Sequence, residues 1–196
     1  MKIIGLTGGI GSGKSTVGVI LKELGAVIID LDKVGHEVIN PGTPGWREVV
    51  EAFGQEILSP QGNINRQKLA QIVFQNPEAL QRLNRIIHPK IDLEVQSRLQ
   101  KFQAQGTDMV VIEAALIEAV SWTAQAEQIW VIKALIETIL GRLKDRGMSE
   151  SESLARMGAQ SPAEEHLKQG LVIINNDSTV EDLRAKVVKL WKQLHN

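Results

Sequence analysis

Short apolar runs alternate with amphipathic stretches along the chain. Residues 2–6 form an apolar run of the kind found in buried parallel strands, and residues 14–24 place apolar side chains at helical spacing. Four more runs rich in Val or Ile follow, at residues 26–30, 109–113, 128–132 and 171–174. The alternation predicts an α/β fold with a five-stranded parallel sheet and helices on both faces.

Capping residues mark where several helices begin. Asn76 precedes Pro77, which suits the first helical position, and Ser149 and Ser178 each precede a glutamate by three residues, as in a capping box. The last helix is predicted over residues 179–194, with one apolar face that packs on the sheet.

The turn between the first strand and the first helix reads Gly-Gly-Ile-Gly-Ser-Gly-Lys-Ser over residues 8–15. It fits G-x-x-x-x-G-K-[ST], the phosphate-binding loop (P-loop) of nucleoside triphosphate enzymes. Its glycines permit a tight backbone whose N–H groups converge on phosphate oxygens, and Lys14 adds a charge for the β- and γ-phosphates. The predicted nucleotide ligands in this loop are Gly9, Gly11, Ser12, Gly13, Lys14, Ser15 and Thr16.

The uneven spacing of the strands predicts additional helical structure. Residues 31–108 separate the second strand from the third, and they contain helical stretches near residues 45–53, 65–75, 77–86 and 89–104. A crossover between parallel strands needs only about a dozen residues, so the excess predicts a helical insertion beside the carboxyl edge of the sheet. A second helical excursion covers about residues 136–170. This pattern is typical of a small-molecule kinase with an acceptor-binding insertion and a lid.

Composition narrows the classes of function. The 196 residues include 22 Lys and Arg against 23 Asp and Glu, so no basic field favours nucleic acid as a partner. The absence of cysteine excludes disulfides, thiolate nucleophiles and zinc–sulfur sites, and it suits a reducing cytoplasm. No stretch approaches the ~18 apolar residues of a membrane helix, and no signal peptide is recognisable. We therefore expect a cytoplasmic protein.

Acidic residues end or follow two of the predicted strands. Asp32 follows the second strand, where a carboxylate can orient an acceptor hydroxyl and take its proton, and Asp30 is a second candidate. The competing interpretation is that Asp32 only caps a helix over residues 33–39. Glu113 ends the third strand, where an acidic residue can hold Mg²⁺ or its waters.

Two arginines lie one helical turn apart in the second excursion. Arg142 and Arg146 share a helix face, and arginines delivered by a closing lid stabilise the charge of a phosphoryl transition state. The competing interpretation is a solvated basic face with Glu137 and Asp145 as partners.

Three further positions have more than one interpretation. His88, before Pro89, could place an imidazole at the acceptor site or cap the following helix. Asn175 ends the fifth strand beside the expected nucleotide base, where asparagine turns are also common for backbone reasons. Trp122 could line a nucleotide or acceptor surface, although packing in the core is the stronger interpretation.

Taken together, these residues resemble the dephospho-CoA kinase family. The similarity runs in order from residue 3 to about residue 190. It rests on residues 6–16, 29–32 and 66–74, on His88-Pro89, Arg142, Arg146 and Gln160, and on residues 173–176. The family usually shows Asp-x-Pro-Leu-Leu after the third strand, and here the chain reads Glu-Ala-Ala-Leu-Ile from Glu113.

The resemblance implies the last step of coenzyme A synthesis, in which MgATP phosphorylates the 3′-hydroxyl of the dephospho-CoA ribose. It implies Asp32 as the base, with Lys14 and Arg142 as further catalytic residues. The remaining expectations are Arg146 and Asn175 as additional ATP ligands, Thr7, Asp32, Arg66 and His88 at the acceptor, and Ser15 and Glu113 at Mg²⁺. The whole chain is expected to be one kinase domain, with a core over about 1–40, 106–135 and 171–196, an insertion over about 41–105 and a lid over about 136–170.

The residues by themselves leave other classes open. Another P-loop kinase, acting on a nucleoside monophosphate or a small alcohol, would share this architecture. A nucleotide switch is less favoured because the chain lacks the Asn-Lys-x-Asp of guanine switches, and a polynucleotide-dependent ATPase is disfavoured by charge and size. We expect no nucleic acid, membrane or obligate protein partner.

Overall fold

The computed structural model describes residues 1–114, 122–158 and 170–195. Within them lies a parallel five-stranded sheet with the strand order β2-β3-β1-β4-β5. Its strands are β1 Lys2–Gly8, β2 Val27–Asp30, β3 Met109–Glu113, β4 Gln128–Lys133 and β5 Leu171–Asn175. The predicted α/β class and five-stranded parallel sheet are therefore confirmed.

Eight α-helices connect or follow these strands in the described residues, together with two short 3₁₀ helices, Gln55–Ile57 and Thr123–Gln125. The α-helices are α1 Lys14–Glu23, α2 Leu31–Glu37, α3 Pro44–Phe53, α4 Arg66–Phe74, α5 Pro77–Ala104, α6 Ile136–Asp145, α7 Glu150–Gly158 and α8 Val180–His195. No helix in these parts of the chain is long and apolar enough to cross a bilayer.

The chain divides into two compact units. The first unit comprises Met1–Asp30 and Phe102–Asn196 and holds the sheet, and the second comprises Leu31–Lys101. The predicted division into core, insertion and lid stays a prediction, because compact units do not show which segments move.

The core of the first unit lies between the sheet and two helices. Fully buried side chains of β1, β3 and β4 pack against α1 and α8, and Trp130 is the largest of them. Each such aliphatic side chain stabilises the fold by about 1.5–3 kcal/mol relative to an exposed one. Since β1 lies between β3 and β4, the chain switches direction across the sheet at β1, and ligands bind at such a point outside the carboxyl ends of the strands.

The second unit has its own apolar core. Its buried members are Val49, Phe53, Ile57, Ile64, Leu69, Val73 and Ala79. Side-chain caps fix where its helices begin: Thr43 accepts from Trp46 N at 3.1 Å, and Asn65 accepts from Lys68 N at 3.1 Å. Asn76 accepts from two backbone N–H groups of α5, which confirms the helix start predicted there.

The predicted boundary between two helices near residue 88 is wrong. The stretches predicted near 77–86 and 89–104 form one helix, α5, with Pro89 inside it. Proline lacks an N–H and usually ends or kinks a helix, but buried side chains in both halves of α5 anchor it, among them Ala79 and Val95. The interpretation of His88 as a helix cap is therefore excluded, because the residue lies within α5 and no helix begins directly after it.

The last helix also starts differently from its predicted cap. The capping acceptor of α8 is the Thr179 hydroxyl, 3.2 Å from Asp182 N, rather than Ser178. The predicted Ser149 cap is present, with its hydroxyl 3.2 Å from Glu152 N at the start of α7. The Ser178 motif fails because the helix begins one residue later than its spacing requires.

Candidate active site

The P-loop joins β1 to α1 in the first unit. Gly11 and Gly13 have φ angles of +73° and +99°, in the left-handed region that side chains disfavour. Gly8 is needed for space instead, because a Cβ there would lie 2.7 Å from both the Ile132 carbonyl oxygen and Ser12 Oγ. The glycines of this loop therefore have two different physical roles.

The N-terminus of α1 lacks the capping found on other helices. Gly13 occupies the cap position without a side-chain hydrogen bond, whereas Thr43, Asn65 and Ser149 cap α3, α4 and α7. The first turn of α1 also contains no acidic residue, a feature that it shares with α3 and α4. The first N–H groups of a helix have no partner within it, and the helix dipole favours an anion beside them. This end of α1 is thus suited to a phosphate group.

Lys14 is ion-paired at this helix end. Its Nζ lies 3.2 Å from Glu113 Oε1, and both side chains are largely buried, at 15% and 16% exposure. A cation in the first turn of a helix is disfavoured by the helix dipole. The carboxylate of Glu113 offsets this unfavourable interaction by pairing with the Lys14 ammonium. Glu113 also packs on α1, since its Oε2 is 3.1 Å from the position of a Cβ at Gly18.

Arg142 reaches the P-loop from α6. Its Nη1 donates to the carbonyl oxygens of Gly11 and Ser12, both at 3.2 Å, and its Nη2 donates to the Asn176 carbonyl at 2.9 Å. Arg146 caps the C-terminal end of α6, where its backbone N–H donates to the Leu143 carbonyl at 3.1 Å. Its exposed side chain forms no hydrogen bond with the part of the chain described. The two arginines therefore have different environments, and the solvated-face interpretation suits Arg146 alone.

The turn after β5 contributes a residue that the sequence did not single out. Asn175 is exposed, and its carbonyl accepts from Lys186 Nζ at 2.7 Å. Asn176 is only 4% exposed, and its Nδ2 donates to the Ser12 carbonyl at 2.7 Å. The Asn-Asn pair was visible in the sequence, but only the alternation of side chains at the end of β5 shows which member faces the loop.

Two hydroxyl groups at the base of the loop lack a hydrogen-bond partner among the described residues. Thr7 Oγ1 and Ser12 Oγ are both buried. An unsatisfied buried polar group costs about 1–3 kcal/mol, so such atoms call for a specific explanation. Ser15, by contrast, is exposed at the start of α1, and Thr16 is half-buried behind it.

The second unit contains a cavity of about 540 Å³, within the range of small-molecule sites. Apolar side chains of α2, α4 and α5 form most of its wall, and its charged or titratable groups are Asp32, His36 and Arg66. Phe74 lines it while remaining 82% exposed. The cavity thus brings together two of the predicted acceptor residues, Asp32 and Arg66, and His88 is not part of its lining.

Asp32 is placed differently from a helix cap. It is the second residue of α2, exposed, and it accepts no hydrogen bond from any backbone N–H that the structure describes. The helix begins at Leu31 instead of Lys33, so the predicted cap position does not exist. A carboxylate in the first turn still gains from the helix dipole, which is a smaller contribution than a capping bond.

His36 and Phe74 are the cavity residues that sequence reasoning missed. His36 follows Asp32 by four residues on α2, a spacing that places both side chains on one helix face. Phe74 is the last residue of α4, eight positions after Arg66, so the two also share a face. Both spacings are visible in the sequence, but they indicate a shared site only when α2, α4 and α5 are seen to line one cavity.

Two basic residues of the second unit outside the cavity, Arg98 and Lys90, are ion-paired. Arg98 contacts Glu94 at 2.8 Å and also Glu37, and Lys90 contacts Glu48 at 2.7 Å. Burial by itself lowers the pKa of Arg98, but the hydrogen bonds and charges of Glu94 and Glu37 raise it overall. The pairs with Glu37 and Glu48 join neighbouring helices of the second unit and lie outside the cavity lining, whose charged side chains are Asp32 and Arg66.

The tryptophans support the core interpretation. Trp122 is fully buried, so it cannot line an open nucleotide surface. Trp46 packs beside the core of the second unit, with its Nε1 donating to the Gly62 carbonyl at 3.0 Å. Gln160, which belongs to the family resemblance, lies outside the described residues.

Comparison with known proteins decides the family. The dephospho-CoA kinase family model matches residues 2–182. The chain belongs to the dephospho-CoA kinase family. It is 44% identical to the dephospho-CoA kinase of Geobacter metallireducens over 194 residues, covering 98% of this chain and 96% of that one. With the Dehalococcoides mccartyi dephospho-CoA kinase it shares 42% identity over 195 residues, 98% of each chain.

A solved structure of the same family agrees with the fold. The dephospho-CoA kinase from Campylobacter jejuni superposes with a TM-score of 0.72 at 29% identity, covering 99% of this chain and 98% of that one. The similarity to this family therefore covers almost the whole chain, including the sheet and the P-loop.

Proposed function

We propose that this protein transfers the γ-phosphoryl group of ATP to the 3′-hydroxyl of the dephospho-CoA ribose, giving coenzyme A and ADP. The observation that carries the proposal is the uncapped N-terminus of α1, with its glycine loop and Lys14, in a chain that matches the family over residues 2–182. Another P-loop kinase reaction would use the same nucleotide end, so the acceptor is the part that needs a test.

The nucleotide is bound by the first unit. Backbone N–H groups between Gly9 and Thr16 donate to phosphate oxygens, apart from those of Ser12 and Thr16, which already donate to the Gly9 and Gly13 carbonyls. The Lys14 ammonium neutralises charge on the β- and γ-phosphates. Arg142 is a second cation at the loop, and it stabilises the transferring group as its charge spreads over three oxygens. Arg146 and Asn175 stay predicted ATP ligands, and their exposed side chains are accessible to a nucleotide.

Magnesium fits the oxygen donors present at this site. Ser15 and Gly18 lie on the same face of α1, and Glu113 Oε2 is 3.1 Å from the Cβ position of Gly18, so a hydroxyl and a carboxylate share this face. Mg²⁺ usually takes one or two protein oxygens and completes its shell with phosphates and waters. Ser15 and Glu113 would hold the ion or its waters, and the ion supplies charge neutralisation at the β- and γ-phosphate oxygens.

The acceptor is bound by the second unit in the cavity lined by α2, α4 and α5. Dephospho-CoA combines an aromatic adenine with a diphosphate, and the cavity combines an apolar wall and Phe74 with the Arg66 guanidinium. Adenine stacks on aromatic faces, and arginine pairs with phosphate oxygens. Asp32, in the same cavity, then binds the ribose through its 3′-hydroxyl. Thr7 and His88 remain predicted acceptor residues.

Asp32 is the proposed general base. Its carboxylate takes the proton of the 3′-hydroxyl as that oxygen attacks the γ-phosphorus, and the bond from phosphorus to the ADP oxygen breaks. The proton ends on Asp32 and the phosphoryl group on the ribose. This role needs no further nucleophile or covalent intermediate.

The substitution Asp32→Asn tests both the base and the acceptor. We expect kcat to fall by about 10²–10⁴-fold, the range of a positioned general base. ATP affinity should stay close to that of the wild type, because Asn removes no contact with the nucleotide. The measurement is formation of CoA from dephospho-CoA at saturating MgATP, followed by mass, with nucleoside monophosphates and small alcohols as competing acceptors.

Glu78→Gln is the matched control for helix stability. Glu78 is likewise an exposed acid in the first turn of a helix of the second unit, and it lies outside the cavity. If both variants lose the same small amount of stability while turnover is unchanged, Asp32 acts only on the helix dipole. A wild-type protein that phosphorylates another acceptor and leaves dephospho-CoA unmodified would overturn the proposed function.

A further inference from the structure

The side chain of Asn176 contacts the P-loop from the turn after β5. It is nearly fully buried, and its Nδ2 donates to the Ser12 carbonyl at 2.7 Å across 164 positions of sequence. The Asn176 backbone is fixed on both sides, because its N–H donates to the Lys133 carbonyl at 2.8 Å and its carbonyl accepts from Arg142 Nη2. A buried amide held this firmly is suited to holding its partner in place.

The Ser12 carbonyl is held by two donors at once. Besides Asn176 Nδ2, it accepts from Arg142 Nη1 at 3.2 Å. In a trans peptide the C=O and the following N–H point to opposite sides of the plane. Fixing the Ser12 carbonyl toward Asn176 therefore turns the N–H of Gly13 to the other side.

The N–H of Gly13 has no hydrogen-bond partner in the described segments. It adjoins Lys14 and Ser15, the first two residues of α1, whose N–H groups have no partner within the helix, whereas the N–H of Thr16 donates to the Gly13 carbonyl. Several unpaired backbone donors in a row form an anion site when they point in one direction. The orientation of the Ser12–Gly13 peptide decides whether Gly13 N–H belongs to that set.

Gly13 is also the residue that lets Asn176 approach. A methyl group at this position would overlap the side-chain amide of Asn176, so no residue larger than glycine leaves the contact intact. The φ of +99° favours glycine independently. The conformation of the loop and the approach of Asn176 thus depend on the same residue.

We propose that Asn176 is a positioning residue for ATP binding. Its amide holds the Ser12–Gly13 peptide so that the Gly13 N–H faces the triphosphate. The inference rests on the proposed function only in taking ATP as the ligand. The acceptor does not enter it, and its test requires no phosphoryl transfer.

The test compares Asn176→Asp and Asn176→Ala in direct titrations with MgATP in the absence of acceptor. Asp has the same shape but lacks the N–H donor, and Ala lacks the donor without adding a charge. We expect ATP to bind about 10-fold more weakly to both, the size of one lost hydrogen bond to a charged ligand.

Lys186→Met is the matched control. It removes a side-chain donor from the Asn175 carbonyl, one residue away in the same turn, and should leave ATP affinity unchanged. Melting temperatures of all three variants separate positioning from stability. A lower melting temperature with normal ATP affinity for the folded Asn176 variants would reduce Asn176 to a structural residue.

A second outcome would also overturn the proposal. If Asn176→Asp binds ATP weakly while Asn176→Ala binds it normally, the effect comes from the added negative charge. Wild-type protein that binds ATP but forms no CoA would contradict the proposed acceptor. The proposal for Asn176 would be unaffected by that result, because its test measures ATP affinity alone.

Discussion

The P-loop end of the first unit and the cavity of the second unit offer different kinds of groups to a ligand. The P-loop relies on backbone groups and on a few charges that are already paired, such as Lys14 with Glu113 and Arg142 with loop carbonyls. The cavity relies on apolar side chains from three helices and carries few charges. The P-loop thus suits a ligand of high charge, whereas the cavity suits a ligand that joins an aromatic surface to a smaller anionic group.

This difference explains why one site forms a motif and the other does not. Backbone recognition needs glycines and a lysine at fixed spacing, so the P-loop occupies a single run of the sequence. An apolar surface can be built from many side chains, and here residues from Leu31 to Ile91 contribute to it. Separate variants should therefore impair the two regions independently.

The largest expected effect is that of Lys14→Ala. Removing the ammonium takes away a charge-assisted contact with the transferring phosphate, so turnover should fall below detection. Acceptor binding by the second unit should be unchanged in titrations with dephospho-CoA. Lys22→Ala, in the last turn of the same helix, is the control and should retain activity. Normal turnover of Lys14→Ala would contradict the assignment of the P-loop.

Arg142→Ala should have the next largest effect. We expect kcat to fall by about 10³-fold, the low end for a charge-stabilising arginine. ATP affinity should fall less, because the arginine contacts strengthen as charge moves in the transition state. Arg146→Ala is the comparison within the same helix, and its exposed position predicts a smaller loss. Equal, small effects in steady-state assays of both variants would show that Arg142 holds the loop without stabilising the transferring group.

Phe74→Ala should have the smallest effect, confined to the acceptor. Loss of a stacking surface is expected to raise the KM for dephospho-CoA about 10-fold, as for one base on an aromatic ring. Neither kcat nor the KM for ATP should change, and Phe74→Trp should restore binding. Leu93→Ala, an exposed apolar residue of the same unit outside the cavity, controls for lost surface. A rise in the KM for ATP instead would break the separation between the two regions.

The helices show where local sequence signals predicted the structure correctly and where they failed. Asn76 and Ser149 cap helices as predicted, because a capping bond involves only residues within one turn. Pro89 was expected to separate two helices, yet α5 continues through it, with buried residues on both sides. Packing of long-range partners outweighs a local breaker, and no local rule includes those partners.

The sequence by itself determined the strand and helix alternation, the P-loop and the family. Each of these depends on local periodicity or on residues close together in the chain, so it can be read without coordinates. The tertiary structure decided that Asn176 rather than Asn175 meets the loop, that Arg142 and Arg146 differ, and that Asp32, His36, Arg66 and Phe74 share one cavity. These facts join residues many positions apart, and only the packing of whole elements fixes which side chains face each other.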